Sequence, residues 1–164
     1  MQLTGKEIIE KNIISNYVSE GVQQQGIDCR VDCIYRFEDE IGFIPATGKT
    51  IIPKTYPHTT TTPLGEAYYL VPGYYEVKFK EGCNIPANAT LHFKTRSSLV
   101  RCGAIVHSGQ FDAGFKTDAM GCFLQVIRPL HIEEGARIAQ AIVFESNDVE
   151  NLYDGQWQGD KQRN

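Results

Sequence analysis

Hydrophobic residues open the chain at a 3–4 spacing: Ile8, Ile9, Ile13, Tyr17 and Val18, with Asn12 in the same row. That period predicts an amphipathic helix. Thr4, with Glu7 three residues later, supplies the capping box that would start it. Beyond Gly21 the pattern shifts to short β-rich runs at 29–37, 67–71, 74–79, 90–93, 103–107, 122–127 and 137–144. Pro72-Gly73, Glu81-Gly82, Pro86-Ala87-Asn88 and Glu134-Gly135 separate them as turn signals. Many short strands with little helix predict a mainly β protein, an antiparallel β-sandwich or jelly-roll-like barrel with a short N-terminal helix. Residues 1–150 read as one domain, in which the Pro-, Thr- and Gly-rich stretch 45–65 is a surface loop or arm. Residues 151–164 are polar and read as a tail, ordered only when something holds it.

Composition narrows the function. The chain has 164 residues, 41% hydrophobic and 22% charged, enough for one domain with its own core. No window approaches the roughly 18 apolar residues of a membrane helix, and no membrane partner is expected. The opening residues have no apolar h-region, so a secretory signal is not expected. A net charge of −4 gives no general attraction to nucleic acid, so any polyanion must be gripped locally. Five cysteines, an odd number, fit reduced thiols in a cytoplasm better than a disulfide framework. Cys29 and Cys33 lack the second pair that zinc needs, and the four histidines are scattered.

Four stretches carry candidate chemistry. Arg96-Ser97-Ser98-Leu99-Val100-Arg101 combines two guanidiniums, two hydroxyls and the start of a turn or helix; it suits an anion, or simply a solvated helix cap. Gly109-Gln110-Phe111-Asp112-Ala113-Gly114-Phe115 sets a carboxylate between two aromatics and two glycines. That pattern fits a tight hairpin holding Asp112 against a flat ligand, or an Asp that merely forms a turn. Arg137 and Gln140 begin an apolar strand. Trp157, the one tryptophan, sits in the Gly-flanked tail Tyr153 to Gly159, where it could stack as a lid or anchor packing.

In this order the pieces resemble the trimeric dUTPase and dCTP deaminase superfamily over nearly the whole chain. Leu3-Thr4-Gly5-Lys6-Glu7-Ile8 is similar to the deaminase-type N-terminal signature, and Gln25 to Val31 to the first shared motif. Tyr69-Leu70-Val71-Pro72-Gly73-Tyr74-Tyr75 resembles the family's strand–turn–strand. Arg96 to Gly103 is similar to the phosphate-binding second motif in its deaminase form. Gly109 to Phe115 resembles the third motif and Arg137-Ile138-Ala139-Gln140 the fourth. The tail Tyr153 to Gly159 is similar to the deaminase-type C-terminus.

The resemblance implies hydrolysis of dUTP to dUMP and pyrophosphate, with Asp112 activating a water for attack on the α-phosphorus. It implies Mg²⁺ on the triphosphate, with Asp28 and Gln140 as ligands through water. Arg96, Ser97, Ser98 and Arg101 would grip phosphates, with Lys161 or Arg163 reaching the terminal one. Amides of Gly109, Gln110, Phe111 and Asp112 would read the uracil, Phe115 would press on the deoxyribose, and Trp157 would close over the nucleotide. The implied partner is a second and third copy of the chain, a homotrimer with sites at subunit junctions. Members that deaminate dCTP carry a proton-relaying Glu on the strand leaving the third-motif hairpin. Here an ungapped count lands on Cys122 and a gapped one on Val126, and neither relays protons as a carboxylate does. A shorter hairpin also favours the dUTPase branch. The alternatives are a dCTP deaminase or bifunctional enzyme, with Asp118 as the nearest spare carboxylate, or a catalytically weak nucleotide-binding regulator.

Overall fold

A computed structural model describes residues 1–58 and 67–160. The chain begins with α1 (Gly5–Glu10), β1 (Ile14–Ser15), β2 (Val22–Gln23), β3 (Gly26–Phe37) and β4 (Thr55–Pro57). Next come β5 (Ala67–Leu70), β6 (Gly73–Phe79), β7 (Gly82–Asn84), β8 (Ala89–Thr95) and α2 (Ser97–Arg101). The order closes with β9 (Ala104–His107), β10 (Lys116–Thr117), β11 (Gly121–Val126), β12 (Leu130–Glu133) and β13 (Arg137–Glu145). Each run read as β-rich in the sequence is a strand.

The main sheet has the order β8-β13-β3-β6-β11-β9, every described pair antiparallel. Twelve-residue β3 is its spine: the first half pairs with β13, the second with β6, and the register shifts between Val31 and Cys33. A side chain bridges the outer strands β8 and β9. Thr95 Oγ1 accepts from the Val106 N–H at 3.0 Å and donates to the Val106 carbonyl at 3.4 Å. That contact brings the two edges of the barrel together. Two smaller ladders, β1-β7-β10 and β12-β5, accompany it. Leu3, Ile8, Val31, Phe79, Leu91 and Leu124 are fully excluded from water in one continuous core.

Two expectations need correction. The helix begins as expected: Thr4 Oγ1 accepts from the Glu7 N–H and the Glu7 carboxylate accepts from the Thr4 N–H. It then stops at Glu10, well short of Val18. Asn12 turns left-handed at φ 54°, its N–H reaches the Ile9 carbonyl, and the Ile13 N–H reaches the Ile8 carbonyl. This is a Schellman cap, with Asn in the position usually held by Gly. Ile13 continues the helical spacing because it packs back on the core beside Ile8. The Glu81-Gly82 pair, read as a turn, instead enters β7 between β1 and β10. A Cβ on Gly82 would lie 2.6 Å from the Asp118 carbonyl oxygen, so close backbone approach explains the glycine.

Candidate functional site

The loop from β9 to β10 folds over the barrel and walls a cavity of about 520 Å³. Gly109, Gln110, Phe111, Asp112 and Phe115 line it, as does Trp157 from the tail. Backbone bonds fix the loop. The Phe111 N–H and carbonyl both pair with Leu91 at 3.0 Å, Gly114 donates to Ile85, and Phe115 donates to Asp112. Gly114 makes the reversal at φ 85°. Gln110 Nε2 donates to Asp112 Oδ1 at 2.7 Å, which orients an otherwise exposed carboxylate. A run of ring contacts, Phe79–Phe93–Phe111–Phe115–Tyr153, ties the core to the loop and then to the tail, with centroids 5.1 to 5.5 Å apart.

Sequence reasoning missed part of the cavity wall. Glu76 and Lys78 on β6 line it, facing Phe123 and Gly121 of β11 across the ladder. Glu76 is 2% exposed, and burial holds the Lys78 amine below the usual lysine value. The available signal was Tyr74-Tyr75-Glu76-Val77-Lys78-Phe79: two charges on one face of a strand whose other face is apolar. Asp118 is exposed and outside the lining. Cys122 lies 3% exposed on β11 and Val126 is buried beyond it. Burial drives the Cys122 thiol far above its ordinary range.

The tail is fastened on two sides. Tyr153 N–H donates to the Ala113 carbonyl. Gln158 Nε2 donates to the Gly114 carbonyl at 2.8 Å and the Tyr153 carbonyl at 3.1 Å, while its Oε1 accepts from the Lys116 N–H at 2.9 Å. Gln156 pairs with the main chain of Thr50 in the arm, accepting from its N–H at 3.1 Å and donating to its carbonyl at 2.9 Å. Between these clasps, the Trp157 N–H donates to the Tyr153 hydroxyl. The arm adds Ile52 to the cavity wall. Lys161, Arg163 and the Thr59 to Thr62 run lie outside the described residues.

A second constellation stands apart. Arg96 precedes α2, on which Ser97, Ser98 and Arg101 are exposed while Leu99 anchors the turn in the core. Beneath it Asp28, 1% exposed on β3, faces Arg96 Nε at 3.2 Å and Arg137 Nη1 at 3.6 Å through Oδ2. Gln140 Nε2 donates to Oδ1 at 3.4 Å. Burial raises the Asp28 carboxyl above its ordinary value, with Arg96, Arg137 and Gln140 pulling against it. None of Arg96, Ser97, Ser98, Arg101, Asp28 or Gln140 lines the cavity. The arrangement is also a poor fit for a metal. Two guanidiniums already face the Asp28 carboxylate, which has almost no surface left for a bridging water. Among the described residues no cluster of His, Cys, Asp or Glu could hold an ion. No described helix is long and apolar enough to cross a membrane.

Residues 2–147 match the family model described as dCTP deaminase-like. The deoxyuridine 5'-triphosphate nucleotidohydrolase of Methanocaldococcus jannaschii is 34% identical over 149 residues, 91% of this chain and 94% of that one. A probable deoxyuridine 5'-triphosphate nucleotidohydrolase of Aeropyrum pernix is 30% identical over 163 residues, covering 98% and 99%. The crystal structure of 2'-deoxycytidine 5'-triphosphate deaminase from Agrobacterium tumefaciens superposes with a TM-score of 0.63 at 16% identity. That match covers 92% of this chain and 49% of the other, and it speaks to the fold alone. By its family match and by relatives aligned over nearly their full length, the chain belongs to the dCTP deaminase-like family.

Proposed function

We propose that this protein hydrolyses dUTP to dUMP and pyrophosphate. The observation that carries the reading is Asp112: a carboxylate oriented by Gln110 at an aromatic cavity, in a chain whose full-length relatives are named for this activity. Asp112 would orient a water and take its proton as the water attacks the α-phosphorus in line. The charges of the cavity say which end of the nucleotide enters. Two carboxylates, Asp112 and Glu76, face one ammonium, Lys78. Such a wall repels a triphosphate and suits a neutral ring and sugar, with Phe115 and Trp157 as apolar faces for them. The phosphates would then lie on Arg96, Ser97, Ser98 and Arg101, which stand elsewhere on the same chain.

That separation supports a site completed between copies, one giving the cavity and the next giving the cationic segment. A closed ring, the homotrimer, satisfies every cavity in this way. Lys161 and Arg163 are proposed for the terminal phosphate. Mg²⁺ enters as the ion a triphosphate carries, with Asp28 serving to fix Arg96 and Arg137. Five free cysteines fit a reducing cytoplasm.

The test is product analysis with Mg²⁺ and either dUTP or dCTP, scoring pyrophosphate and ammonia. Pyrophosphate from dUTP without ammonia from dCTP is the expected result; ammonia from dCTP would overturn the branch. Asp112→Asn should cost about 10²- to 10⁴-fold in kcat. Mixing Asp112→Asn with Ser98→Ala/Arg101→Ala, each inactive alone, should restore activity, because mixed rings hold some intact junctions. No recovery after subunit exchange would refute the split site.

A further inference from the structure

We propose that the arm at 38–54 of one copy docks its exposed apolar face into a pocket beside α2 of the next copy; the proposal rests on the split site described above. The arm doubles back on itself. Phe43 and Ile51 exchange both main-chain hydrogen bonds at 2.9 Å, so their side chains share one face. Ile52, the next residue, lines the cavity from the other face. The outer face is left in water. Phe43 and Ile51 are exposed on it, and Ile41 and Ile44 of the same arm are 94% and 83% exposed. Four large apolar side chains gathered on one exposed arm mark an interaction surface.

The receiving pocket measures about 410 Å³, as large as clefts that hold small ligands. One wall is Ser98 and Leu99 of α2 with Cys102 at its cap, and another is Leu130, Ile132 and Glu133 of β12. Its lining is mainly apolar, which suits aliphatic and aromatic side chains. No residue of the arm lines it, so within one chain the arm and the pocket do not meet.

Placement and charge select a second copy as the occupant. A split site needs α2 of the next copy at this copy's cavity, and the arm walls that cavity through Ile52. Because α2 also walls the pocket, the same approach carries the arm to it. The charges agree. Lys49, exposed beside the Gly48 turn, would face Glu133, exposed at the pocket; Arg137, the cation of the lining, is already turned to Asp28. The arm is also held ready, since Gln156 of the docked tail bonds both the N–H and the carbonyl of Thr50, next to Ile51. Arm and pocket are different surfaces, so the contact runs head to tail and closes around a ring.

Cys102, an exposed thiol of the pocket, makes the contact testable by cross-linking. Phe43→Cys, at an exposed position, is treated with a short bis-maleimide and run on a denaturing gel, beside wild type and Phe43→Cys/Cys102→Ser. Sedimentation of each protein is measured alongside. Covalent dimers and trimers are expected from Phe43→Cys well above wild type, and their loss is expected in Phe43→Cys/Cys102→Ser. Adding Lys49→Glu should slow the cross-linking about fivefold, and adding Glu133→Lys to that should restore it. An assembled Phe43→Cys protein that gives no link depending on Cys102 would overturn arm docking while leaving the split site standing. Links that persist without Cys102 would overturn it too, by placing the arm against another thiol. A wild type that sediments as a monomer while hydrolysing dUTP would overturn the split site, and arm docking with it.

Discussion

Gln158 holds the tail by three hydrogen bonds, and its removal should release Trp157 from the cavity. The bonds to the Gly114 carbonyl, the Tyr153 carbonyl and the Lys116 N–H measure 2.8, 3.1 and 2.9 Å. Each lies near the surface and is worth about 0.5 kcal/mol net, so Gln158→Ala should weaken docking by about 1.5 kcal/mol. That is roughly a tenfold shift toward the undocked tail. Gln156→Ala removes the two bonds to Thr50 and should shift it about fivefold. Gly114→Ala should act on the same equilibrium by another route: a Cβ there would lie 2.7 Å from Leu152 Cβ, on a backbone at φ 85°. The assay uses Trp157, the single tryptophan, as an internal reporter. Acrylamide quenching should rise in the order wild type, Gln156→Ala, Gln158→Ala, with a red-shifted emission maximum. Quenching that is the same in all three proteins would refute the reasoning and mean that ring packing alone, chiefly Tyr153 on Phe115, seats the tail.

Other expectations follow from buried charge and packing. Glu81, fully buried, accepts from the Arg30 N–H at 2.7 Å and from its Nε at 2.6 Å. Glu81→Ala leaves the guanidinium only its bond to the Asn16 carbonyl and should cost about 3 kcal/mol, lowering Tm by roughly 6–12 °C in a calorimetric scan. Lys78 is held below the ordinary value of 10.5 by burial. The folded protein therefore binds fewer protons than the unfolded chain between the lowered value and 10.5, and this residue adds stability as pH rises through that window. Lys78→Met should flatten that part of the Tm-against-pH curve relative to wild type. Leu99→Ala empties the anchor under α2 and should cost about 2–3 kcal/mol, with KM for the triphosphate rising more than kcat falls.

The strands were legible because alternation and turn residues are local signals, and β3, β6, β11 and β13 carry both strongly. The end of α1 was not, because Asn12 and Ile13 keep a helical spacing while serving a left-handed cap and a core contact. Short strands such as β1, β7 and β10 owe their existence to partners far along the chain, and no local pattern marks them. The same division holds in the site. Gly109 to Phe115 announced itself through its glycines, aromatics and Asp112. Glu76 and Lys78 stayed hidden because a charge pair on a strand reads as a solvated face until the ladder sets Phe123 and Gly121 opposite and the fold gathers them into one cavity with Phe115 and Trp157. Asp28 was visible, but its capture by Arg96 and Arg137 depends on the pairing of β3 with β13 and could not be read in advance.

The Thr95–Val106 contact has a thermodynamic consequence for the segment it brackets. Residues 96–103 leave the barrel after β8 and return at β9, and the two hydrogen bonds of the Thr95 hydroxyl help staple the ends of that excursion. An unstapled loop bearing Ser97, Ser98 and Arg101 would sample many arrangements and forfeit that freedom each time an anion settled on it. Stapled, the loop gives up its conformational entropy once, when the chain folds, and its hydroxyls and guanidinium wait already aligned. A single threonine at a seam of the barrel thus works on binding from a distance, by shrinking the ensemble that a ligand would otherwise have to freeze.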